Sequence, residues 1–362
     1  MLDNNKIVNA LRLVKDPKSG LNIIEAKMVE DFRIDENNIN FTIILKENDP
    51  KIKSELNFLC IGEIKKIYPD ANVNIMLKDT SKGKDAAGPL PQIKNIIAVA
   101  SGKGGVGKST VSVNLATTLS KRGHKVGILD ADVYGPSIPT MLGLNGQRPK
   151  VEILYGKHKI LPLENHGIHV MSIGFIVEPE QAVVLRGPRL GGIIKQFIND
   201  CLWPDLDYLI VDLPPGTGDV QLTLVQSIAV TGAVMVTTPQ KVAVIDAVKA
   251  MNMFLMPNVN VPILGVVENM SWFTPKELPD NKYYIFGEGG GKSLADKADA
   301  KLLGKVPIVQ SVREGGDSGI PVSLTDNKQM TDIYDSIAAQ FEEVVAVRNK
   351  TLPPTKKITM QQ

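Results

Sequence analysis

One stretch constrains this chain more than any other: SGKGGVGKST, Ser101 to Thr110, set between the apolar run NIIAVA and the helix-patterned VSVNLATTLSKRG. Gly102, Gly107, Lys108 and Ser109 satisfy G-x-x-x-x-G-K-S/T. In that pattern glycines let successive backbone N–H groups turn toward phosphate oxygens at a helix N-terminus. Strand, loop and helix also stand in the order that the geometry requires. The candidate nucleotide contacts are therefore Gly102, Lys103, Gly104, Gly105, Val106, Gly107, Lys108, Ser109 and Thr110, with ATP and Mg²⁺ as the implied ligands. Lys108 belongs at the β and γ phosphates and the Ser109 hydroxyl on Mg²⁺. Lys103 is a second lysine, five residues earlier in the same loop, which phosphate binding alone does not require.

The rest of the chain tells where this loop sits. From Lys94 onward, NIIAVA, KVGILD, GIHVMSIG, DYLIVDLP, GAVMVTTP, VPILGVVENM and KLLGKVP alternate with segments long enough for crossover helices. Several of the runs are apolar at consecutive positions, as parallel strands covered on both faces are. The expectation is an α/β fold, a doubly wound and mostly parallel sheet. Residues 5 to 78 mix helical and strand-like periods in a shorter span and predict a small α+β domain in front, residues 1–78. Residues 79–93, DTSKGKDAAGPLPQI, lose periodicity and read as a linker. The large domain then runs over 94–348 and a flexible tail over 349–362.

Composition narrows the partners. Lys and Arg total 41 against 39 Asp and Glu, a net charge of +2, so neither nucleic acid nor an anionic membrane is expected as the main partner. No run approaches the ~20 apolar residues of a membrane span, and the N-terminus has no apolar signal core, which predicts a cytoplasmic protein. Cys60 and Cys201 are the only cysteines, too far apart for a paired-cysteine metal motif. Both read as buried structural residues, Cys60 on a helical face with Leu56 and Ile64.

Acids close two of the apolar runs. KVGILDADVYGPS carries Asp130 and Asp132 at a strand's C-terminal end, where open α/β sheets hold ligands, and alternation puts both on one side of an extended chain. YLIVDLPPGTGD ends in Asp212, suited to holding a water of the Mg²⁺ shell. Pro214, Pro215, Gly216 and Gly218 follow it, as in a switch loop or a plain strand-to-helix turn.

KGGVGKST, DADVYGPSIP, DLPPGTGD and ENM, in this order, resemble the Mrp/ApbC group of deviant Walker A ATPases, relatives of MinD, ParA and the nitrogenase iron protein. The front segment is similar to the MIP18-like domain found ahead of many Mrp proteins. The resemblance implies a homodimeric ATP hydrolase that assembles iron–sulfur clusters or passes them between scaffold proteins and client apoproteins. It implies that Lys103 reaches the phosphates of the facing subunit, and that Asp132 orients the attacking water with Asp130 nearer the Mg²⁺ shell. It places Asn269 at the adenine edge, where an amide offers both donor and acceptor. Lys305, Val306 and Pro307 resemble the segment flanking the base. Arg186 and Arg189 stand either near the opposite subunit or solvated.

The family's C-x-x-C after the NMS motif is missing. Here the segment reads NMSWFTPKELPDNKYYIFGEGGG, without a cysteine, whereas a shared cluster of this kind is held by four thiolates. In the front segment NDP, with Asp49, stands where relatives carry Cys-Pro. A nucleotide-gated adaptor that holds no cluster, and a MinD- or ParA-like positioning ATPase, therefore stand as alternative readings.

Overall fold

The computed structural model describes all residues except 1, 18–19, 36, 46–49, 80–89, 91, 133–134, 155–156, 176–191, 193–195 and 354–362. The chain divides into two compact units, Met1–Ala87 and Gly88–Gln362. Arg186, Arg189, Asp49 and most of the expected linker and tail lie outside the described residues.

In the first unit α1 (Asn4–Leu11) begins at Asp3, whose carboxylate accepts from the N–H groups of Asn5 and Lys6. Such a cap satisfies donors that the first helical turn cannot pair internally. Strands β1 (Val29–Asp35) and β2 (Asn38–Leu45) are antiparallel. After β2 comes α2 (Pro50–Ile67), then β3 (Asn72–Asp79), which lies parallel to β2. Alternation along β2 buries Ile39, Phe41, Ile43 and Leu45 in one core with Ile7, Leu11, Leu56 and Ile64. Cys60 is fully buried in the same core.

The second unit is built on an eight-stranded sheet in the order β13-β12-β11-β4-β10-β5-β9-β8. Its strands are β4 (Ile93–Ala100), β5 (Val126–Asp130), β8 (Leu163–Asn165), β9 (Ile168–Ser172), β10 (Leu206–Asp212), β11 (Gly232–Thr237), β12 (Ile263–Glu268) and β13 (Lys301–Lys305). All neighbours are parallel except β8, which turns back on β9. Every residue of β5 and β11 is buried, which is why those strands are apolar without alternation. Helices α3 (Lys108–Lys121), α4 (Ile138–Met141), α5 (Asp219–Ser227), α6 (Lys241–Leu255), α7 (Gly290–Lys297), α8 (Gln310–Ser318) and α9 (Lys328–Thr351) complete the unit. Leu115 of α3, Phe254 of α6 and Tyr334 and Phe341 of α9 are among its fully buried side chains.

Three boundaries differ from the sequence reading. Ile93 already belongs to β4 and Asp79 to β3, so the irregular segment is shorter at both ends. Helix α9 runs to Thr351 instead of stopping at 348. Its polar end is fixed from outside the helix: the Asn349 amide donates to Asn95 of β4, and Arg348 is buried and donates to the Pro353 carbonyl. A small hairpin, β6 (Val151–Leu154) with β7 (Lys157–Ile160), was also not legible in the pattern.

The topology fixes where a ligand can bind. From β4 the chain crosses through α3 to β5 on one side, while β11 flanks β4 on the other. Such a reversal opens a crevice at the C-terminal strand ends, and the glycine loop emerges there.

Candidate functional site

The glycine loop is shaped by two close approaches. A Cβ on Gly102 would collide with the backbone of Asp246 and Ala247 in α6. Gly107 has φ +81°, and a Cβ there would strike the amide nitrogen of Asn269. Both positions therefore exclude any side chain, which motif matching alone does not explain. Helix α3 starts at Lys108, so its free N–H groups face the loop's concave side.

Lys108 is only 5% exposed, and its Nζ lies 2.6 Å from Asp212 Oδ2 and 3.7 Å from Asp132 Oδ2. The Ser109 hydroxyl donates to Asp212 Oδ2 at 2.6 Å, and the Ser112 hydroxyl donates to Asp212 Oδ1 at 2.6 Å. A fully buried carboxylate is thus compensated by one cation and two hydroxyls, as burial of charge demands. Ser112 escaped the sequence reading. Its signal was its spacing, three residues after Ser109 on the same face of α3.

Asp130 faces Asp212 across adjacent strands. Its Oδ2 accepts from the Ser172 hydroxyl and its Oδ1 from the Asp132 N–H, at 2.9 and 3.1 Å. Ser172 in turn accepts from the Gly174 N–H. Burial, then the neighbouring Asp212 charge, pushes the Asp130 carboxyl up to about 8, against the pull of Ser172 and Lys108. The two acids do not continue one extended chain, because β5 ends at Asp130 and the backbone turns so that the N–H of Asp132 meets the carboxylate of Asp130. Asp130 is left fully buried, while Asp132 keeps 13% of its side chain exposed on the lysine side.

Lys103 is partly buried, with Nζ 3.4 Å from the Gln240 side-chain oxygen at the start of α6. Asn269 is buried, and its amide donates to the Val106 carbonyl of the loop at 2.8 Å. One of its two amide hydrogens is thereby committed to the loop. The preceding Glu268 was also missed. Its Oε2 accepts from the Gly291 N–H at 2.6 Å and its Oε1 lies 3.7 Å from Lys305 Nζ. Its carbonyl also accepts from the Val306 N–H. Glu268 so fastens α7 and the end of β13 to the strand end that carries Asn269. Gln221 does the same for the segment after Asp212 by donating to the Pro214 carbonyl, while the Gly216 N–H reaches Ser101.

Beside the loop opens a cavity of about 630 Å³. Gly107 and Thr110 line it, with Asn269, Met270, Pro307 and Ile308 among its other walls. The size suits a ring and sugar attached to phosphates held in the loop. In the loop itself the hard oxygen donors Ser109 and Asp212 meet Lys108, a set that fits Mg²⁺, which takes few protein carboxylates and keeps several waters.

Thiolates are a different matter. Burial pushes both Cys60 and Cys201 up to about 12, and they belong to different units. Among the described residues no three His, Cys, Asp or Glu side chains are grouped to hold a metal. The segment after Asn269 is described, and it exposes Phe273, Leu278, Tyr283, Tyr284 and Ile285.

Residues 92–342 match the family described as NUBPL iron-transfer P-loop NTPase, and residues 4–75 match the family described as iron-sulfur cluster assembly protein. An iron-sulfur cluster carrier protein of Synechocystis sp. is 43% identical over 96% of this chain and all of its own length. The iron-sulfur cluster carrier protein of Escherichia coli is 51% identical over 69% of this chain and 67% of its own. Among solved structures, a nucleotide-binding protein from Archaeoglobus fulgidus in complex with ADP superposes with a TM-score of 0.55 at 39% identity, covering 64% of this chain and 88% of that one.

Proposed function

This chain belongs to the iron-transfer P-loop NTPase family and carries an iron–sulfur cluster assembly domain in front, and on that premise we propose that it binds and hydrolyses ATP as a homodimer to drive iron–sulfur cluster assembly or transfer to client apoproteins. The observation that carries the ATPase reading is the convergence of Lys108 and Ser109 on Asp212, each at 2.6 Å, with Asp132 3.7 Å from the same ammonium.

In this reading Lys108 exchanges its contact with Asp212 for the β and γ phosphates, guided by the N–H groups of the loop and the first turn of α3. Ser109 and Asp212 would hold Mg²⁺ and its waters, with Asp130 one strand further and braced by Ser172. Bound Mg²⁺ supplies neutralisation of the charge on the terminal phosphates. Asp132, partly exposed beside Lys108, orients the water for in-line attack. Lys103, resting against Gln240, is released toward the phosphates of the facing subunit and meets the charge that builds up there. The loop after Asp212, tied to Ser101 through Gly216 and to α5 through Gln221, follows the γ phosphate and transmits its loss to the dimer.

The cluster is cargo in this account, and its holder is a second question. Two buried thiols in separate units favour a dimer that gates the binding of a cluster-bearing partner over one that bridges a cluster with its own cysteines. Anaerobic incubation of the purified protein with iron and sulfide, followed by metal counting, tests this. Little or no chelator-stable iron is expected; about four irons per dimer, lost on changing either cysteine, would show that the chain holds the cluster itself. Transfer of a preformed cluster from a scaffold to an apoprotein, measured with and without ATP, tests the wider role.

A further inference from the structure

The segment after Asp212 leans on the glycine loop at two places. The Gly216 N–H donates to the Ser101 carbonyl at 3.0 Å, and the Pro215 ring lies 3.9 Å from where a Cβ on Gly104 would stand. Ser101 Oγ in turn donates to the Lys103 carbonyl at 3.0 Å. Pro215 and Gly216 therefore touch the glycine loop on both sides of Lys103, the lysine that phosphate binding alone does not require.

The side chain that meets this segment from α5 is Gln221, only 3% exposed. Its amide nitrogen donates to the Pro214 carbonyl at 2.9 Å. Its head packs against two glycines: a Cβ on Gly216 would stand 3.9 Å from Nε2, and one on Gly218 would stand 3.4 Å from Oε1. Oε1 itself meets no donor among the described residues. A buried amide oxygen left in this way is costly, and almost every such atom in a folded protein has a donor. The chain carries a suitable one close by. Gly218 is the N-cap of α5 and Gln221 is its third helical residue, the place from which a glutamine reaches back to the N-cap N–H. With Oε1 free, that bond is open. Closing it takes a small shift of Gly218 toward Gln221, for which the missing Cβ leaves room.

We infer that Gln221 is the positioning residue of this segment: when residues 214–218 close on the γ phosphate, its free oxygen takes the Gly218 N–H and locks them in the closed arrangement. This rests on the ATP-binding reading given under the proposed function. Held at Pro214 by the amide nitrogen and at Gly218 by the oxygen, the segment moves as one piece against Ser101 and Gly104, and so shifts the backbone that carries Lys103. Gln221 touches neither nucleotide nor Mg²⁺ in this account and acts through the loop. Because its second bond exists only in the closed arrangement, it favours the nucleotide that has a γ phosphate and does nothing for ADP.

Equilibrium binding of ADP and of a non-hydrolysable ATP analogue to the full-length protein tests the inference. Gln221→Met keeps the length and burial of the side chain and removes its hydrogen bonds. It should weaken the analogue roughly tenfold while ADP affinity changes by no more than about twofold, as loss of one buried bond made in a single state implies. Gly218→Pro removes the donor instead, at a φ of −81° that is close to the value proline fixes, and should give the same selective loss. Since both variants break one bond, the double variant should lose no more than the weaker of the two. Dimer formed with the analogue at fixed protein concentration should fall in parallel. A loss in Gln221→Met that is equal for both nucleotides would make Gln221 a structural prop and overturn the inference, as would unchanged analogue affinity in both variants or losses that add in full. Failure of the parent to bind either nucleotide would instead overturn the ATP-binding reading, and this inference with it.

Discussion

Lys108 is asked to do two things, to compensate buried Asp212 and to meet phosphate, and a single substitution separates them only in part. Lys108→Ala should abolish ATP binding or nearly so, because several charge-assisted contacts of ~1.5 to 3 kcal/mol each are lost together. It also leaves the Asp212 carboxylate with the Ser109 and Ser112 hydroxyls alone, so a drop in melting temperature should accompany it. Calorimetry reads the first effect and thermal unfolding the second; undiminished affinity would remove the phosphate role. Asp132 is the cleaner probe, since it is partly exposed and not the main partner of Lys108. Asp132→Asn should lower turnover by ~10² or more with nucleotide affinity little changed, measured as kcat against Kd. Loss of affinity with turnover per bound site retained would assign it to binding.

At the scale of elements, α3 is the hub. Its N-terminus follows directly on the glycine loop, and its far end is tied to α9 by Arg122, which donates to both Asp335 and Glu342, while His124 also meets Glu342. Burial alone would raise the Glu342 carboxyl, but the Arg122 and His124 contacts outweigh it and hold it below the ordinary glutamate range. A carboxyl lowered on folding adds stability above its unfolded titration range, and that share is lost as pH falls through the folded one. Glu342→Gln should therefore cost ~1 kcal/mol in chemical denaturation at neutral pH and flatten the decline in stability toward acid. An unchanged acid slope would mean that these contacts do not couple α3 to α9.

The elements also show what was legible. Seven strands of the large sheet were readable, six of them because burial on both faces makes their apolar residues consecutive, while edge strand β13, with only Leu303 buried, showed just the pair Leu302 and Leu303. Strand β8, three residues with Glu164 and Asn165, and the hairpin β6–β7 have no such signal, since they are short and one-sided. The loop's residue types announced phosphate chemistry. Ser172 and Glu268 did not announce themselves, because each acts through a partner far away in sequence, Asp130 and Gly291, and Gln221 acts on a backbone carbonyl, that of Pro214, which has no sequence pattern. Alternation misplaced Asp132 relative to Asp130 for a local reason, the end of β5 at Asp130, two residues before Asp132.

For the whole molecule the instructive contrast is between a glycine loop whose lysine and serine meet a strand-end carboxylate and two cysteines that are both buried. Cys60 and Cys201 are 0% and 4% exposed. In the native protein neither should react quickly with a thiol reagent, and both should react once the chain is denatured. Fast native labelling of either would contradict their burial. Cys60→Ser and Cys201→Ser should leave ATP hydrolysis within a few-fold of the parent, since each is buried in the hydrophobic core of its own unit, while each lowers stability by burying a hydroxyl. Among the described residues no helix is long and apolar enough to cross a membrane. In the proposed function two copies build each active site together, Asp132 acting on its own nucleotide and Lys103 on its partner's. Mixing Lys103→Ala and Asp132→Asn proteins, each inactive alone, tests it directly. If Lys103 acts in trans, a mixed dimer keeps one intact site, and an equal mixture should recover roughly a quarter of parental ATP turnover. If both residues serve the same subunit's nucleotide, no mixed dimer has an intact site, and turnover that stays at the level of the single variants would contradict the account.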